Sequence, residues 1–489
     1  MNEKKFEFMI HLTGDSLTPE LTRSLEELVA PEGYVVEVQP VPDVDKYTAY
    51  EASMRASDAK YKIYLDERAV IVKKDFLFDL LAIFESDAKI GAVGTSGALE
   101  LPTNGISYYA DKRTDKSYSG EVAIIDGYLF ATQYDLPWRY EDFQDDFFGG
   151  QAQCMEFKRA GYKLYVAAQD EPWIEAKEVT FASNEGSRKL FLAEYAKDFL
   201  PLVTVIIPTS DRPRQLKAAL DSALNQTYSN IEIIISDNST ADDTEQLIKG
   251  YDDTRIKYLR NADFLGDYDN PAAEYVNWLM DGDVFYPNKI ERMVEIYRAN
   301  PDVSLVTSKR NVIDADGFVV DEAKAPFSIS SKIDGDEAGR ILFSNFSNYI
   351  GEPTTVLVCK KFLRDDDLHW SESPDLMTWC QLLTRGKLYF IDEVLSGSQA
   401  REDAEATSKA IEWARLIAAA WERATFLTTE TELRTAILAW FELLAVKGLQ
   451  VPLQKDYRGA EVEKLEKVFV AMAQALSNGY KIELPPVGA

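Results

Sequence analysis

Tyr275-Val-Asn-Trp-Leu-Met-Asp281-Gly-Asp283-Val-Phe-Tyr-Pro287-Asn-Lys-Ile290 is the stretch that decides the fold. Its apolar run reads as a buried strand, and Pro287 suits the first turn of the amphipathic segment that follows. Asp281 and Asp283 therefore fall at the carboxyl end of a strand, where open α/β sheets bind ligands. Two close carboxylates repel each other. A hard divalent cation bridging to phosphate oxygens would relieve that repulsion. In a chain with 82 acidic residues the pair alone is weak evidence, so its neighbours must carry the reading.

Upstream lies Leu202-Val-Thr-Val-Ile-Ile-Pro208-Thr209-Ser210-Asp211-Arg212-Pro213, a buried strand that stops at a proline and opens a polar turn. A helical stretch from Gln215 to Asn225 leads to a second buried strand, Ile231-Glu-Ile-Ile-Ile-Ser-Asp237-Asn238-Ser239. Strand, helix, strand at this spacing predicts a βαβ unit in a parallel sheet. All three polar clusters then sit at strand carboxyl ends and converge on one ligand.

Residues 202 to about 400 resemble a family 2 glycosyltransferase with the GT-A fold. The resemblance implies that Pro208, Thr209, Asp211, Arg212, Asp237 and Asn238 contact the donor nucleoside. It also implies that Asp281 and Asp283 hold ribose and metal. More of the family's order follows. Asn261 and Leu265-Gly-Asp-Tyr-Asp-Asn270 resemble the segment before the D-x-D strand, which makes Asn270 a donor contact. Gly351-Glu352-Pro353-Thr354 resembles a loop near the donor sugar, and Ser373-Pro374-Asp375 resembles the segment carrying the catalytic base. A plain helix start explains the last three residues equally well: Ser373 as N-cap, Pro374 as first residue, and Asp375 as an acid favoured by the dipole.

The amino-terminal half repeats the layout more weakly. Lys60-Tyr-Lys-Ile-Tyr-Leu-Asp66-Glu67-Arg68 matches the stretch ending Asp281-Gly282-Asp283, and each is followed by an amphipathic helix and a strand. Such self-similarity predicts an internal duplication. This half also resembles a small family of transferases related to a streptomycin-biosynthesis protein, through Asp126-Gly127-Tyr-Leu-Phe-Ala-Thr132 to Trp138-Arg139 and through Gly161-Tyr162. Arg68 stands where Asp283 stands, and a guanidinium cannot ligate a cation. That family's aspartate near Gly149 and histidine near Glu175-Ala176 are absent. The half therefore reads as a transferase fold without its metal centre. The alternative is that Arg68 offsets phosphate charge directly.

The carboxyl-terminal half also departs from its family. Val394-Leu-Ser-Gly-Ser-Gln399-Ala-Arg401-Glu-Asp403 carries no histidine after the last core strand, which leaves Gln399 or Asp403 in its place. The whole chain has two histidines, His11 and His369. From about Ala404 the pattern turns helical, over 404–427, 430–447 and 461–476, with Trp413, Trp421, Trp440 and Phe441 at helical spacing.

The 489 residues suffice for two or three domains, and 46% hydrophobic content marks a globular chain. A net charge of −29 argues against nucleic acid and anionic membranes as partners. No apolar run approaches the length of a membrane span, and no signal-peptide pattern opens the chain. Three cysteines without paired spacing suit a cytoplasmic protein. The expectation is thus a tandem GT-A-like α/β protein: a degenerate domain over 1–198, a transferase domain over 199–402 and a helical extension over 403–489. The resemblance implies transfer with inversion from a UDP-sugar to an acceptor hydroxyl of a glycan or glycoprotein. Asp375 would be the base, and Mn²⁺ or Mg²⁺ would sit on Asp281 and Asp283. Expected partners are that donor and acceptor, with a second copy of the chain or another transferase. A non-catalytic scaffold or carbohydrate-binding partner of another transferase is the competing class.

Overall fold

The computed structural model describes residues 2–41, 45–106, 113–143, 148–176, 184–260, 270–345, 347–364, 375–400, 406–446, 467–471 and 473–474. The chain divides into two compact units, Met1–Leu200 and Pro201–Ala489.

In the second unit the strand Leu202–Thr209 is central because it has no polar face: Val203 to Thr209 are all buried, as a parallel strand covered on both sides requires. Ile231–Asp237 and Ala273–Trp278 flank it in parallel, and Ile256–Arg260 forms the edge. Beyond Ala273–Trp278 come Leu357–Cys359, Val303–Ile313, Lys387–Gln399 and the short Val284–Phe285. The strand runs through Pro208 rather than stopping there. Its pairing with Ala273–Trp278 has already ended at Ile206, so the missing proline N–H breaks no ladder on that side. The crossover helix Pro213–Leu224 starts on a proline whose absent N–H is an orphan anyway. It buries Leu216, Ala219, Leu220 and Ala223, one stripe at three- and four-residue spacing.

The first unit has the same plan. Asn2–His11 lies between Val35–Val41 and Ala59–Leu65, all parallel. Next come antiparallel Ile124–Thr132, then Ile90–Ala98, Lys163–Val166 and Gly120–Val122. The Asp66 turn thus follows the strand equivalent to the one that precedes Asp281.

The helices after residue 405 belong to the core of the second unit. Trp413, Ile417, Ile437 and Trp440 share one buried cluster with Phe343 and Trp379. The first helix runs over Ala406–Glu422, not to 427. Ala424 and Phe426 take left-handed φ values of 50° and 58°, which ends the helix and turns the Phe426 ring inward. There it fills the space left by Gly339, where a Cβ would lie 2.1 Å from a ring carbon. The second helix is Glu430–Val446, and most of the expected third lies outside the described residues. No helix among the described residues is long and apolar enough to cross a membrane.

Candidate active site

The parallel register sets Thr209 beside Asp237, so the first two polar clusters are neighbours by construction. The strand Ala273–Trp278 ends level with Ile206, and the turn after it swings Asp281 under Thr209. Thr209 Oγ1 donates to Asp281 Oδ2 at 3.1 Å, and Arg212 Nη1 donates to Asp281 Oδ1 at 2.7 Å. Arg212 Nη2 also donates to Gln399 Oε1 at 3.1 Å. Gln399 can come this close only because residue 282 is glycine, with φ +90°. A Cβ there would stand 2.3 Å from Gln399 Oε1.

Asp283 is fully buried. Its carboxylate accepts from Thr354 Oγ1 at 2.5 Å, the backbone N–H of Gln399 at 2.8 Å and Ser398 Oγ at 3.4 Å. Thr354 belongs to the turn Pro353–Thr355, which is anchored from beneath. Asn277 Nδ2 donates to the Pro353 carbonyl at 3.0 Å and Asn277 Oδ1 accepts from Lys289 Nζ at 2.6 Å. Lys289 is completely buried, and burial drives its amine far below the usual lysine range. The helix Asp375–Leu383 is tied to the same turn region, since Trp379 Nε1 donates to the Gly351 carbonyl at 3.0 Å. Asp375 is the first residue of that helix, while Ser373, Pro374 and His369 lie outside the described residues.

Asp237 is also fully buried, accepting from Tyr258 Oη at 2.6 Å and from the Ser239 N–H at 2.8 Å. Burial and the bond to Asp237 both push the Tyr258 phenol up, so it stays a donor. Tyr258 is the one residue of this cluster without a motif of its own. Its signal is its place on the edge strand beside Ile231–Asp237. Asp211 has φ +54° and accepts from the Thr240 and Ala241 N–H groups at 2.9 and 3.4 Å, so it pins the loop after the second strand. Asn238 is exposed and donates its backbone N–H to the Thr209 carbonyl. Glu352 pairs with Arg310 at 2.5 Å.

Asn270 lies apart from the Asp281 turn. It precedes the strand Ala273–Trp278, whereas Asp281 follows it. The strand between them is roughly 20 Å long. Asn270 Nδ2 donates to Glu232 Oε1 at 2.6 Å, beside Thr204 and Lys257, in a network at the amino edge of the sheet. Asn270 is thus bonded into this network rather than to the cluster around Asp281. Asn261 and Asp403 fall outside the described residues.

Two carboxylates and the Gln399 amide oxygen are hard donors of the kind Mg²⁺ or Mn²⁺ takes when substrate phosphates complete its shell. Among the described residues no group of three or more His, Cys, Asp or Glu is placed to hold a metal ion alone. The fit is that of a cation arriving with a diphosphate, and Arg212 carries positive charge at the same place.

In the first unit the equivalent carboxylate is closed off. Arg68 forks onto Asp66, Nε to Oδ1 and Nη2 to Oδ2, both at 2.6 Å, and Lys46 adds a contact at 3.3 Å. Burial raises the Asp66 pKa, but the Arg68 fork and Lys46 outweigh it and leave the carboxyl at about 2.

Residues 8–195 match the model of a glycosyltransferase-like family, and residues 204–354 match that of glycosyl transferase family 2. A glycosyltransferase of Rickettsia typhi with no assigned substrate is 30% identical over 230 residues, 46% of this chain and 71% of the relative. The chain belongs to glycosyltransferase family 2. An Escherichia coli family relative, a UDP-Glc:α-D-GlcNAc-diphosphoundecaprenol β-1,3-glucosyltransferase, is 27% identical over 125 residues. That match covers 24% of this chain and 49% of the relative. Among solved structures, Staphylococcus aureus TarS is 14% identical, with 57% of this chain and 89% of that one covered. The TM-score is 0.38. As a family 2 member this chain is a glycosyltransferase, and sugar transfer is its activity.

Proposed function

We propose that the unit Pro201–Ala489 transfers a sugar from a UDP-sugar to a hydroxyl of a glycan or glycoprotein acceptor, with inversion and with help from Mn²⁺ or Mg²⁺. The observation that carries this reading is the meeting of Thr209, Arg212, Asp281 and Gln399 at the carboxyl edge of the central strands, next to Asp237. The donor named for the Escherichia coli relative supports UDP. Asp237 and Thr209 would hold the nucleoside, with Tyr258 fixing the Asp237 carboxylate. Asp283 and Asp281 would hold the cation, which when bound neutralises charge on the departing diphosphate. Arg212, already at Asp281, is placed to add donors to the same phosphates. Asp375 would accept the acceptor's proton, and in-line attack on the anomeric carbon then inverts it.

One observation favours the non-catalytic alternative: Asp283 is buried and already bonded by three protein donors. Incubation with a panel of nucleotide sugars, with and without Mn²⁺, separates the two readings. The transferase reading expects UDP-sugar hydrolysis or transfer that EDTA suppresses and that collapses in Asp283→Asn. Activity that survives both treatments leaves Asp283 as a strand-end structural acid.

A further inference from the structure

The first unit has an open-sided cavity of about 530 Å³. One wall is aromatic: Tyr47, Tyr50, Tyr64, Tyr128 and Trp138 all line it. Tyr47 stacks on Trp138 at a centroid separation of 5.4 Å, and the Tyr64 ring stands edge-on to Trp138 at 4.8 Å. Gly149 makes room for this wall. A Cβ there would sit 2.0 Å from the Tyr47 ring, and the Gly150 N–H donates to Tyr47 Oη at 2.9 Å.

The opposite lining is polar and incomplete. Gln151 is 3% exposed, and its side-chain oxygen has no hydrogen-bond partner. Asp126 takes Ser96 Oγ at 2.7 Å and Arg113 at 3.1 Å on one carboxylate oxygen, while the other has none. A buried acceptor without a donor is costly, and native proteins rarely retain one unless something else satisfies it. Trp138 Nε1, which lines the same cavity, is a donor without a partner, so the missing group both donates and accepts, as a hydroxyl does.

Charge narrows the class. The cavity is lined by three cations, Lys46, Arg113 and Lys116, and by three carboxylates, Asp66, Asp126 and Glu175. Lys46 already contacts Asp66, and Arg113 contacts Asp126. Among the described residues the lining has no surplus positive charge for a diphosphate, and Asp66 is forked by Arg68 rather than open to a cation. Aromatic faces that stack on the C–H face of a pyranose, with acceptors for its hydroxyls, fit a neutral sugar. We propose that this cavity is a metal-free binding site for a neutral saccharide, distinct in ligand class from the nucleotide site of the second unit.

The inference stands apart from the transfer reading, and one experiment keeps the two separable. The intact chain is applied to an array of neutral oligosaccharides in EDTA, with soluble UDP as competitor, and UDP-sugar hydrolysis is measured on the same samples. The expected result is retention of at least one neutral glycan that neither EDTA nor UDP reduces. Gln151→Leu should weaken retention at least tenfold without lowering the melting temperature, because it removes an orphan acceptor. Tyr128→Ala, at a half-exposed ring, should weaken it too and serves if Gln151→Leu fails to fold. Asp237→Ala should leave retention unchanged while it removes donor hydrolysis. The proposal is overturned if no glycan is retained, if EDTA or UDP abolishes retention, if both cavity variants bind normally, or if Asp237→Ala removes binding. Glycan retention without hydrolysis in any sample would sink the transferase reading and leave this one standing.

Discussion

At the scale of single residues, the site depends on a lysine that never reaches it. Lys289 is fully buried, with its amine on Asn277, whose own amide holds the Pro353–Thr355 turn against Asp283. Its pKa is depressed in the fold and ordinary in the unfolded chain, so below pH 10.5 unfolding takes up a proton. That costs stability at neutral pH, and the cost shrinks as pH rises towards 10.5. Chemical denaturation of the wild type and Lys289→Met across pH 7 to 10 should therefore show the wild type gaining on the variant, by up to about 1.4 kcal/mol per pH unit. A constant difference would mean that Lys289 is charged in the fold. Asp375 is tested by kinetics. If it accepts the acceptor's proton, Asp375→Asn should lower kcat by roughly 10²-fold or more with donor affinity nearly unchanged. A near-normal kcat would leave it as an acid that suits a helix start.

At the scale of elements, the sequence is legible where a residue's neighbours in the chain are also its neighbours in space. The apolar run Val203–Ile207, the proline opening Pro213–Leu224 and the Asp281-Gly-Asp283 turn are of this kind. Arg68 in place of a second carboxylate is another, since the strand before it is local. Motif order along a chain does not say which end of a strand a residue occupies, and Asn270 sits at the amino edge with Glu232. Tyr258 reaches Asp237 from the edge strand, so the hydrogen bond that recruits it leaves no local mark. The helix expected to reach 427 ends earlier because Phe426 turns back into the core against Gly339, a tertiary contact that overrides helical periodicity. The same core decides the place of the terminal helices. Trp440 is fully buried among residues of the second unit. Trp440→Ala should cost about 3–5 kcal/mol, the range for emptying a buried aromatic site. The loss should appear in the unfolding transition of that unit. A variant within about 0.5 kcal/mol of wild type, the scale of surface changes, would place these helices outside the core.

At the scale of the whole molecule, one fold occurs twice with different chemistry at the same turn. In the second unit Asp281 and Asp283 face Arg212 and Gln399; in the first, Asp66 is closed by Arg68 and Lys46. The central claim is that only the second unit binds a nucleotide donor. Differential scanning calorimetry of the intact chain with UDP and Mn²⁺ tests it most directly, because the two units need not unfold in one transition. Ligand at about 100 times its Kd adds about 2.7 kcal/mol to the native state. For a unit of this size that corresponds to roughly 5–10 °C in melting temperature. The account predicts that the transition of the second unit rises by that amount, needs both UDP and Mn²⁺, and loses the shift in Asp237→Ala, while the first unit's transition stays where it was. A shift confined to the first unit, or none in either unit at millimolar UDP and Mn²⁺, would contradict it.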